Sequence, residues 1–189
     1  MQDALWVFGY GSLIWNPGFT FAERRIARLD GWRRSFCMSS IHYRGTPEHP
    51  GLVLALDRAA DEACQGVAFR VTPGAEDATL AYLRERELIS SAYLEEFLPV
   101  TLEDGKTVRA VTYVINHDHC QYVGGLGLDD QARVIARAHG GNGPNCDYLF
   151  STSAHLEQLG IADSDLAWLV DRVRQISGGS PCPPADPGP

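Results

Sequence analysis

The chain is 189 residues long and carries 16 Lys and Arg residues against 24 Asp and Glu residues, a formal net charge of −8. This length fits one domain of ordinary size, which can bury a sizeable core without disulfides or metals. The acidic balance argues against nucleic acid as a partner, because binding phosphates requires a clustered excess of Lys and Arg. A small soluble ligand is the better expectation.

The location of the protein is predicted from what the sequence lacks. No apolar run approaches the roughly 20 residues that span a bilayer. The start, Met1-Gln2-Asp3, has neither the basic residues nor the long apolar core of a secretory signal. We therefore expect a cytoplasmic protein with no membrane partner. Its five scattered cysteines form no Cys-x-x-Cys pair and are expected to be reduced.

Predicted strands dominate the N-terminal part of the chain, and predicted helices dominate the C-terminal part. Short β-rich runs separated by Gly and Pro predict six strands: Leu5–Tyr10, Arg25–Met38, Gly51–Leu56, Gly66–Thr72, Phe97–Leu102 and Val108–Asn116. Helices are predicted at about Glu76–Leu88, Asp129–His139 and Asp163–Ile176. This is an α+β plan within one domain over residues 1–177. The Gly- and Pro-rich tail, residues 178–189, has little to bury and is predicted to be disordered.

An apolar strand runs directly into a Gly-x-Gly turn at Val7-Phe8-Gly9-Tyr10-Gly11-Ser12-Leu13. Glycines let a ligand approach the main chain, so that successive N–H groups can converge on a carboxylate or a developing oxyanion. The alternative is a plain turn at the end of a strand. The turn is not a dinucleotide-binding fingerprint, because the third glycine is absent and Pro17-Gly18 follows where a helix should begin.

Glu87 is a candidate general acid/base. At about 100° per residue, Glu87 falls between Leu80 and Leu83 on the stripe expected to face the core, whereas Glu85 points away from it. Burial raises the pKa of a carboxyl group and makes it a stronger base. The alternative is a structural carboxylate that pairs with an arginine or caps the N–H groups of a loop.

A glycine-dense segment, Gly140–Leu149, lies between the last two predicted helices. Loops held by rigid neighbours often bind ligands, and Asn145 and Tyr148 carry hydrogen-bonding groups. The alternative is a helix stop followed by an Asx turn. In a related loop, His42–Pro47, Arg44 offers a cation before a turn, and the alternative there is a plain surface arginine.

Metal and covalent chemistry are not indicated. His117-Asp118-His119-Cys120 superficially resembles a metal cluster, but a structural zinc site needs four well-placed ligands and the others are not evident at standard spacing. No cysteine lies in a Gly-rich elbow. Ser12 lacks the Gly-x-Ser-x-Gly pattern of hydrolase nucleophiles. We expect neither a metal nor a cofactor.

Several segments occur in an order and spacing typical of one family. They are Phe8-Gly9-Tyr10-Gly11-Ser12-Leu13-Ile14-Trp15, Arg44-Gly45 with Pro50-Gly51, Tyr82-Leu83 with Arg86-Glu87, Tyr122-Val123-Gly124, and Gly143 and Asn145 before Tyr148-Leu149. From Trp6 to about Ile176, the chain resembles the ChaC-like glutathione-specific γ-glutamylcyclotransferases. The combination is specific to this family, although each segment alone is weak evidence for it.

The resemblance implies a γ-glutamylcyclotransferase-like α+β fold, a small mixed β-barrel with flanking helices. It implies that the Tyr-Gly-Ser-Leu loop binds a γ-glutamyl group and that Glu87 is the catalytic base. The spacing from Tyr82-Leu83 and the helical phase both select Glu87 over Glu85. The substrate-binding residues expected on this basis are Val7, Phe8, Gly9, Tyr10, Gly11, Ser12, Leu13, Arg44, Tyr93 and Tyr148.

The sequence departs from the family pattern after Glu87. The family usually places a Gly-rich stretch and then Tyr-Arg a few residues after the glutamate. Here Leu88-Ile89-Ser90-Ser91-Ala92 leads to Tyr93-Leu94. Tyr93 keeps the aromatic ring, but the arginine is absent, and with it any substrate contact or helix-end interaction that it would make.

The implied reaction is the cofactor-free cleavage of glutathione into 5-oxoproline and Cys-Gly, by attack of the α-amino group on the γ-carbonyl of the same glutamyl unit. Two alternatives remain open. One is cyclotransfer on other γ-glutamyl amino acids or amines, which the pocket for the leaving amine decides. The other is a non-catalytic regulator of cation transport, which gives no reason for an inward glutamate beside an amide-lined turn.

Overall fold

A computed structural model describes residues 4–178 of the chain. The predicted tail lies, from residue 179 onward, outside the described residues. The elements in chain order are β1 (Trp6–Gly9), a 3₁₀ turn (Ser12–Ile14), β2 (Phe21–Ser40), β3 (Gly51–Val71), α1 (Glu76–Glu87), β4 (Tyr93–Leu102), β5 (Thr107–Ile115), α2 (Leu128–Arg137), β6 (His139–Gly140), β7 (Gly143–Pro144), α3 (Asn145–Gln158) and α4 (Ser164–Ile176).

The five longer strands, β1 to β5, form a closed barrel in the order β1-β3-β2-β4-β5. Strand β1 is antiparallel to β3, with Phe8 opposite Ala68, and parallel to β5, with Val7 opposite Val111. Strands β4 and β5 are antiparallel neighbours. Closure pairs the backbone groups that an open sheet would leave at its edges. The predicted α+β fold with a mixed barrel is therefore confirmed.

Two predicted strands are parts of one strand. The sequence predicts separate strands at Gly51–Leu56 and Gly66–Thr72, but β3 runs unbroken from Gly51 to Val71. The prediction fails because the residues between them are mostly polar and exposed, so they lack the apolar alternation that indicates a strand. Strand β4 likewise begins earlier than predicted, at Tyr93 instead of Phe97.

The chain divides into two compact units. The first unit comprises Met1–Ser35 and Ala55–Cys120. Its most buried apolar side chains come from the strands and from α1: Val7, Phe8, Leu29, Leu56, Phe69, Leu83, Val111 and Tyr113.

The second unit comprises Phe36–Leu54 and Gln121–Pro189. In this unit α2, α3 and α4 contact one another pairwise. Their buried side chains include Ile135, Leu149, Leu156, Leu166, Leu169 and Val173. The single domain over residues 1–177 stays a prediction.

Helix α3 is missing from the sequence prediction, whereas α1, α2 and α4 lie within about two residues of their predicted ends. Its start coincides with a dense loop signal, Gly140 to Pro144, which favours a turn over a helix. The Asn145 N–H donates a hydrogen bond to the Ala138 carbonyl oxygen (2.9 Å) at the point where α3 begins. This contact joins residues on either side of the short β6–β7 hairpin, and sequence patterns do not reveal it.

The cysteines differ from expectation at one position. Cys37, Cys64 and Cys120 keep their thiols, as the sequence predicts. Cys146 is disulfide-bonded, so the prediction of a reduced thiol is wrong there. The reason is that pairing depends on the separation of two cysteines in the fold, which their spacing in the sequence does not give. Among residues 4–178, every helix is too short or too polar to span a membrane.

Candidate active site

The turn after β1 begins from a rigid strand. Val7 and Phe8 are fully buried in the first unit, and the Phe8 carbonyl oxygen accepts a hydrogen bond from Thr112 Oγ1 (3.1 Å). Their side chains therefore belong to the core. Past the strand, the Ile14 N–H donates to the Gly11 carbonyl oxygen (3.0 Å), which closes the 3₁₀ turn. The first N–H groups of such a turn have no acceptor within it, so they suit a ligand's oxygen.

The Arg34 side chain anchors this turn by donating a hydrogen bond to the main chain of the turn. The arginine is only 7% exposed; its Nε donates to the Tyr10 carbonyl oxygen (2.6 Å), and an Nη2 proton goes to the Gln65 carbonyl oxygen. In a trans peptide the C=O and the following N–H point in opposite directions. Arg34 therefore turns the Gly11 N–H away from itself.

Two further contacts hold the turn from other sides. The Tyr10 hydroxyl donates to the Tyr113 carbonyl oxygen (2.8 Å), which fixes the Tyr10 side chain in a buried position. Gly66 lies so close to the Gly9 carbonyl oxygen that any Cβ at position 66 would collide with it. Leu13 is also buried. Of the predicted binding loop, the main chain and Ser12 are thus the parts best able to meet a ligand.

Glu87 is the last residue of α1, and 17% of its side chain is exposed. Burial raises the pKa of its carboxyl group, and the charge of Arg86 opposes that rise. The C-terminal end of a helix carries the negative end of the helix dipole, which also disfavours an ionised carboxylate. Glu85, two residues earlier, is exposed. Glu87 is therefore the carboxylate of this pair that is prepared to hold and release a proton.

Arg86 joins the turn to Glu87. Its Nε lies 3.1 Å from Glu87 Oε1, and its Nη2 donates to Ser12 Oγ (2.9 Å). Its Nη1 donates to the Asn16 carbonyl oxygen (2.7 Å) and to the Tyr82 hydroxyl (3.0 Å). One guanidinium thus contacts the Gly-x-Gly turn, the segment after it and two positions on α1.

A second carboxylate, Glu95 on β4, is committed to an ion pair. Arg84 donates hydrogen bonds to Glu95 from two nitrogens: Nε lies 2.9 Å from Oε2, and Nη2 lies 2.7 Å from Oε1. This contact holds the pKa of Glu95 below its usual range. The buried Tyr113 hydroxyl also donates to Glu95 (3.1 Å), and burial together with the charges of Glu95 and Glu87 raises the pKa of Tyr113. The environment thus pushes the pKa values of Glu87 and Glu95 apart.

Tyr93 is the first residue of β4 and lies opposite Ile115 of β5. It is partly buried. Since side chains two residues apart in a strand share a face, Tyr93 and Glu95 lie on the same face of β4.

Arg44 and Tyr148 are brought together in the second unit. The Arg44 guanidinium carbon lies 5.7 Å from the centre of the Tyr148 ring, a cation–π contact. Its Nη1 donates to the carbonyl oxygens of Asn142 (2.7 Å) and Pro144 (3.1 Å). Arg44 therefore ties down the glycine-dense loop, and its role in binding substrate stays a prediction.

Asn145 has a structural role in the same unit. It is fully buried; its Oδ1 accepts from the Leu52 N–H and its Nδ2 donates to the Leu52 carbonyl oxygen, both at 2.7 Å. Leu52 lies in β3, so the amide completes the main-chain pairing of that strand. The ligand contact suggested for Asn145 is therefore replaced by a contact within the protein.

One residue of the His-Asp-His-Cys segment contacts a buried carboxylate. His117 Nε2 lies 2.7 Å from Oδ1 of the buried Asp57, whose Oδ2 is 3.5 Å from an Arg33 nitrogen. Within the described range, 4–178, no group of three His, Cys, Asp or Glu side chains is arranged to hold a metal ion.

Sequence reasoning missed several residues of the site. Arg86 is visible in the sequence only as the neighbour of Glu87. Glu95 had no such signal, because the predicted strand begins at Phe97 and leaves Glu95 outside it. Arg34 had a usable signal, since Trp32, Arg34 and Phe36 alternate within the predicted strand Arg25–Met38 and are all buried in β2. An arginine in such a series indicates a buried cation with partners.

The comparison with known families decides the relationship. The family model described as "ChaC-like protein" matches residues 5–176, nearly the whole chain. The chain belongs to the ChaC-like family. The resemblance stated from the sequence is therefore confirmed.

Relatives of this ChaC-like chain include a plant and a bacterial protein. It is 38% identical to γ-glutamylcyclotransferase 2-3 of Arabidopsis thaliana, covering 92% of this chain and 90% of the relative. It is 37% identical to the glutathione-specific γ-glutamylcyclotransferase of Escherichia coli K12, covering 93% and 75% respectively. The fold matches a crystal structure of a γ-glutamyl cyclotransferase specific to glutathione from yeast, with a TM-score of 0.83 at 25% identity, over 94% of this chain and 99% of that one.

Proposed function

We propose that this ChaC-like chain is a glutathione-specific γ-glutamylcyclotransferase, which converts glutathione to 5-oxoproline and Cys-Gly. The names of the bacterial and yeast relatives, which match over most of the chain, support this function. The single observation that carries the chemistry is the position of Glu87, a mostly buried carboxylate that Arg86 links to Ser12 in the turn after β1.

The reaction is intramolecular. The α-amino nitrogen of the glutamyl unit forms a bond to its own γ-carbonyl carbon, and the bond from that carbon to the cysteine nitrogen breaks. Because nucleophile and electrophile belong to one molecule, catalysis consists largely of holding the glutamyl chain in a reactive shape. The reaction itself requires no enzyme nucleophile and no cofactor.

Glu87 serves as the proton carrier in this proposal. It accepts a proton from the α-ammonium group, which frees the nitrogen lone pair for attack. It then delivers that proton to the leaving nitrogen of Cys-Gly. A carboxyl group whose pKa is raised by burial is suited to both steps, since a higher pKa makes it a stronger base.

The turn after β1 holds the glutamyl end of the substrate. Main-chain N–H groups of the turn bind an oxygen of the substrate, and hydrogen bonds to an oxygen on which charge develops are each worth roughly 3 kcal/mol. Arg34 contributes by fixing the direction of the peptide between Tyr10 and Gly11. Roles in substrate binding for Arg44, Tyr93 and Tyr148 stay predictions, as do the cytoplasmic location and the exclusion of nucleic acid and membrane partners.

The test is incubation of the purified protein with glutathione, γ-glutamylalanine and γ-glutamyllysine, with 5-oxoproline as the measured product. We expect release from glutathione at a rate well above that from the other two. Equal or faster release from either of the others would reject glutathione specificity and keep cyclotransfer. No 5-oxoproline from any of the three would reject the enzyme and favour a binding protein.

A further inference from the structure

Arg86 contacts both parts of the candidate site. Its guanidinium meets Ser12 in the turn after β1 and Glu87 at the end of α1. We propose that Arg86 is a positioning residue that makes Ser12 a directed hydrogen-bond donor and leaves Glu87 one oxygen for proton transfer. This inference rests on the proposed function and deepens it, since it concerns how the glutamyl head group is recognised.

The hydrogen-bonding capacity of Arg86 is directed at the protein. A guanidinium has only donors and no acceptor. All three of its nitrogens contact protein atoms: Nε contacts Glu87, Nη2 contacts Ser12, and Nη1 contacts both Asn16 and Tyr82. A group used in this way orients its neighbours and has little capacity left to bind a ligand itself.

Ser12 acquires a fixed role from this contact. A serine hydroxyl can act as donor or acceptor and rotates to suit its surroundings. Because Arg86 only donates, Ser12 Oγ must accept from it at 2.9 Å, and the hydroxyl proton is directed away from the guanidinium. Ser12 is thereby prepared to donate to an acceptor-only group, such as the α-carboxylate of a γ-glutamyl compound.

Glu87 acquires the complementary role. Its Oε1 faces Arg86 Nε at 3.1 Å, so Oε2 is the oxygen left to accept a proton. The charge of Arg86 also counteracts the effect of burial on the pKa of Glu87. A further titratable group near it is Tyr113, whose pKa is raised in part by the charge of Glu87 and whose hydroxyl donates to Glu95 of the Arg84–Glu95 pair.

The two roles match the charges of one ligand head group. A free glutamyl α-carbon carries a carboxylate, which only accepts hydrogen bonds, and an ammonium, which only donates them. Ser12 would donate to the carboxylate and Glu87 would accept from the ammonium. The guanidinium of Arg86 determines both of these hydrogen-bonding roles. The Asn16 carbonyl oxygen and the Tyr82 hydroxyl hold that guanidinium in place before any ligand arrives, which lowers the ordering cost of binding.

The inference is tested with Arg86→Gln and Arg86→Lys, and with Arg28→Gln as the control. Arg28 is an exposed arginine of the same unit, which pairs with the nearby Asp30. The measurements are kcat and KM for glutathione, together with a ¹³C NMR titration of the Glu87 carboxyl group, assigned by its loss in Glu87→Gln. The titration needs no activity, so it separates this inference from the proposed function.

Arg86→Gln is expected to lower kcat/KM by roughly tenfold to a hundredfold, with a raised KM, because hydrogen bonds to charged groups are lost. Glu87 should then titrate at higher pH than in the wild type. Arg86→Lys keeps the charge but not the planar fork, so the titration should stay nearer the wild type while KM remains raised. Ser12→Ala and Arg86→Gln should be non-additive in kcat/KM, as expected for one connected contact.

Three outcomes would overturn the inference. They are wild-type KM and kcat in folded Arg86→Gln, an unchanged Glu87 titration in that variant, or additive effects of Ser12→Ala and Arg86→Gln. If Arg86→Gln does not fold, Arg86→Lys takes its place, and a wild-type KM in that variant counts against the inference. If the wild type releases no 5-oxoproline, the proposed function is rejected, and an unchanged Glu87 titration then also rejects the role of Arg86.

Discussion

The guanidinium of Arg34 donates a 2.6 Å hydrogen bond to the carbonyl oxygen of Tyr10, in the middle of the Gly-x-Gly turn. The arginine is almost fully buried, and a second nitrogen serves the Gln65 carbonyl oxygen. A buried charge persists only when it is well paired or hydrogen-bonded, so the contact shows that the turn after β1 is built around a side chain of β2.

Arg34→Met should destabilise the protein by about 2–4 kcal/mol, because it leaves buried carbonyl oxygens without their charged donor. The free energy of unfolding in urea measures this effect. Arg28→Met, in the same strand but exposed and paired with Asp30, should change it by less than about 1 kcal/mol. Equal effects of the two substitutions would contradict the anchoring role of Arg34.

Asn145→Ala should destabilise the protein by about 2–4 kcal/mol, because it removes both hydrogen bonds to Leu52 and leaves buried main-chain groups unpaired. Thermal unfolding of the purified variant measures the loss. Asn142→Ala is the matched control, since Asn142 is exposed and Arg44 binds its main-chain oxygen. A control as damaging as Asn145→Ala would mean that the loop as a whole, and not this amide, is sensitive.

The stability of the Glu87→Gln variant, relative to that of the wild type, should increase as the pH rises. Burial raises the folded-state pKa of Glu87 above its value in the unfolded chain, so its contribution to stability is full below the unfolded-state pKa and is lost as the pH rises through the folded-state pKa. Glutamine does not ionise and escapes this loss. Melting temperatures of both proteins between pH 4 and 8 test the sign, and a Glu87→Gln melting temperature that falls relative to the wild type as the pH rises refutes it.

The contribution of the Arg84–Glu95 pair to stability should have the opposite pH dependence. The hydrogen bonds from Arg84 hold the folded-state pKa of Glu95 below its value in the unfolded chain, so the pair stabilises the protein fully above the unfolded-state pKa and ceases to do so as the pH falls through the folded-state pKa. Arg84→Gln should therefore be less stable than the wild type at pH 7, and the gap should close at low pH. A gap independent of pH would show that Arg84 acts through packing alone.

The barrel, the three helices α1, α2 and α4, and the family were within reach of the sequence. Apolar alternation marks the barrel strands near their buried parts, and acidic residues near a start mark the helices. What escaped was the middle of β3, where mostly exposed polar residues continue a strand because their neighbours pair with them. Helix α3 escaped because its start follows the glycine-dense loop.

The candidate site was predictable only in part, because contacts between residues far apart in the sequence leave no local pattern. Helical phase selects Glu87 over Glu85, and the structure leaves Glu85 exposed. The phase does not reveal that Arg86 reaches Ser12, a contact between residues 74 positions apart. It also does not reveal that Glu95 is held by Arg84, because both contacts depend on how strands and helix come together.

The most direct test of the account is the rate of 5-oxoproline release from glutathione by the wild type, Glu87→Gln and Glu85→Gln. Both substitutions remove one carboxylate from α1 at nearly the same place, so they are matched in size and charge. We expect Glu85→Gln to stay near the wild-type rate and Glu87→Gln to lose at least about a hundredfold while remaining folded. A Glu87→Gln variant near the wild-type rate would contradict the central claim, and a dead Glu85→Gln beside it would transfer the role of base to Glu85.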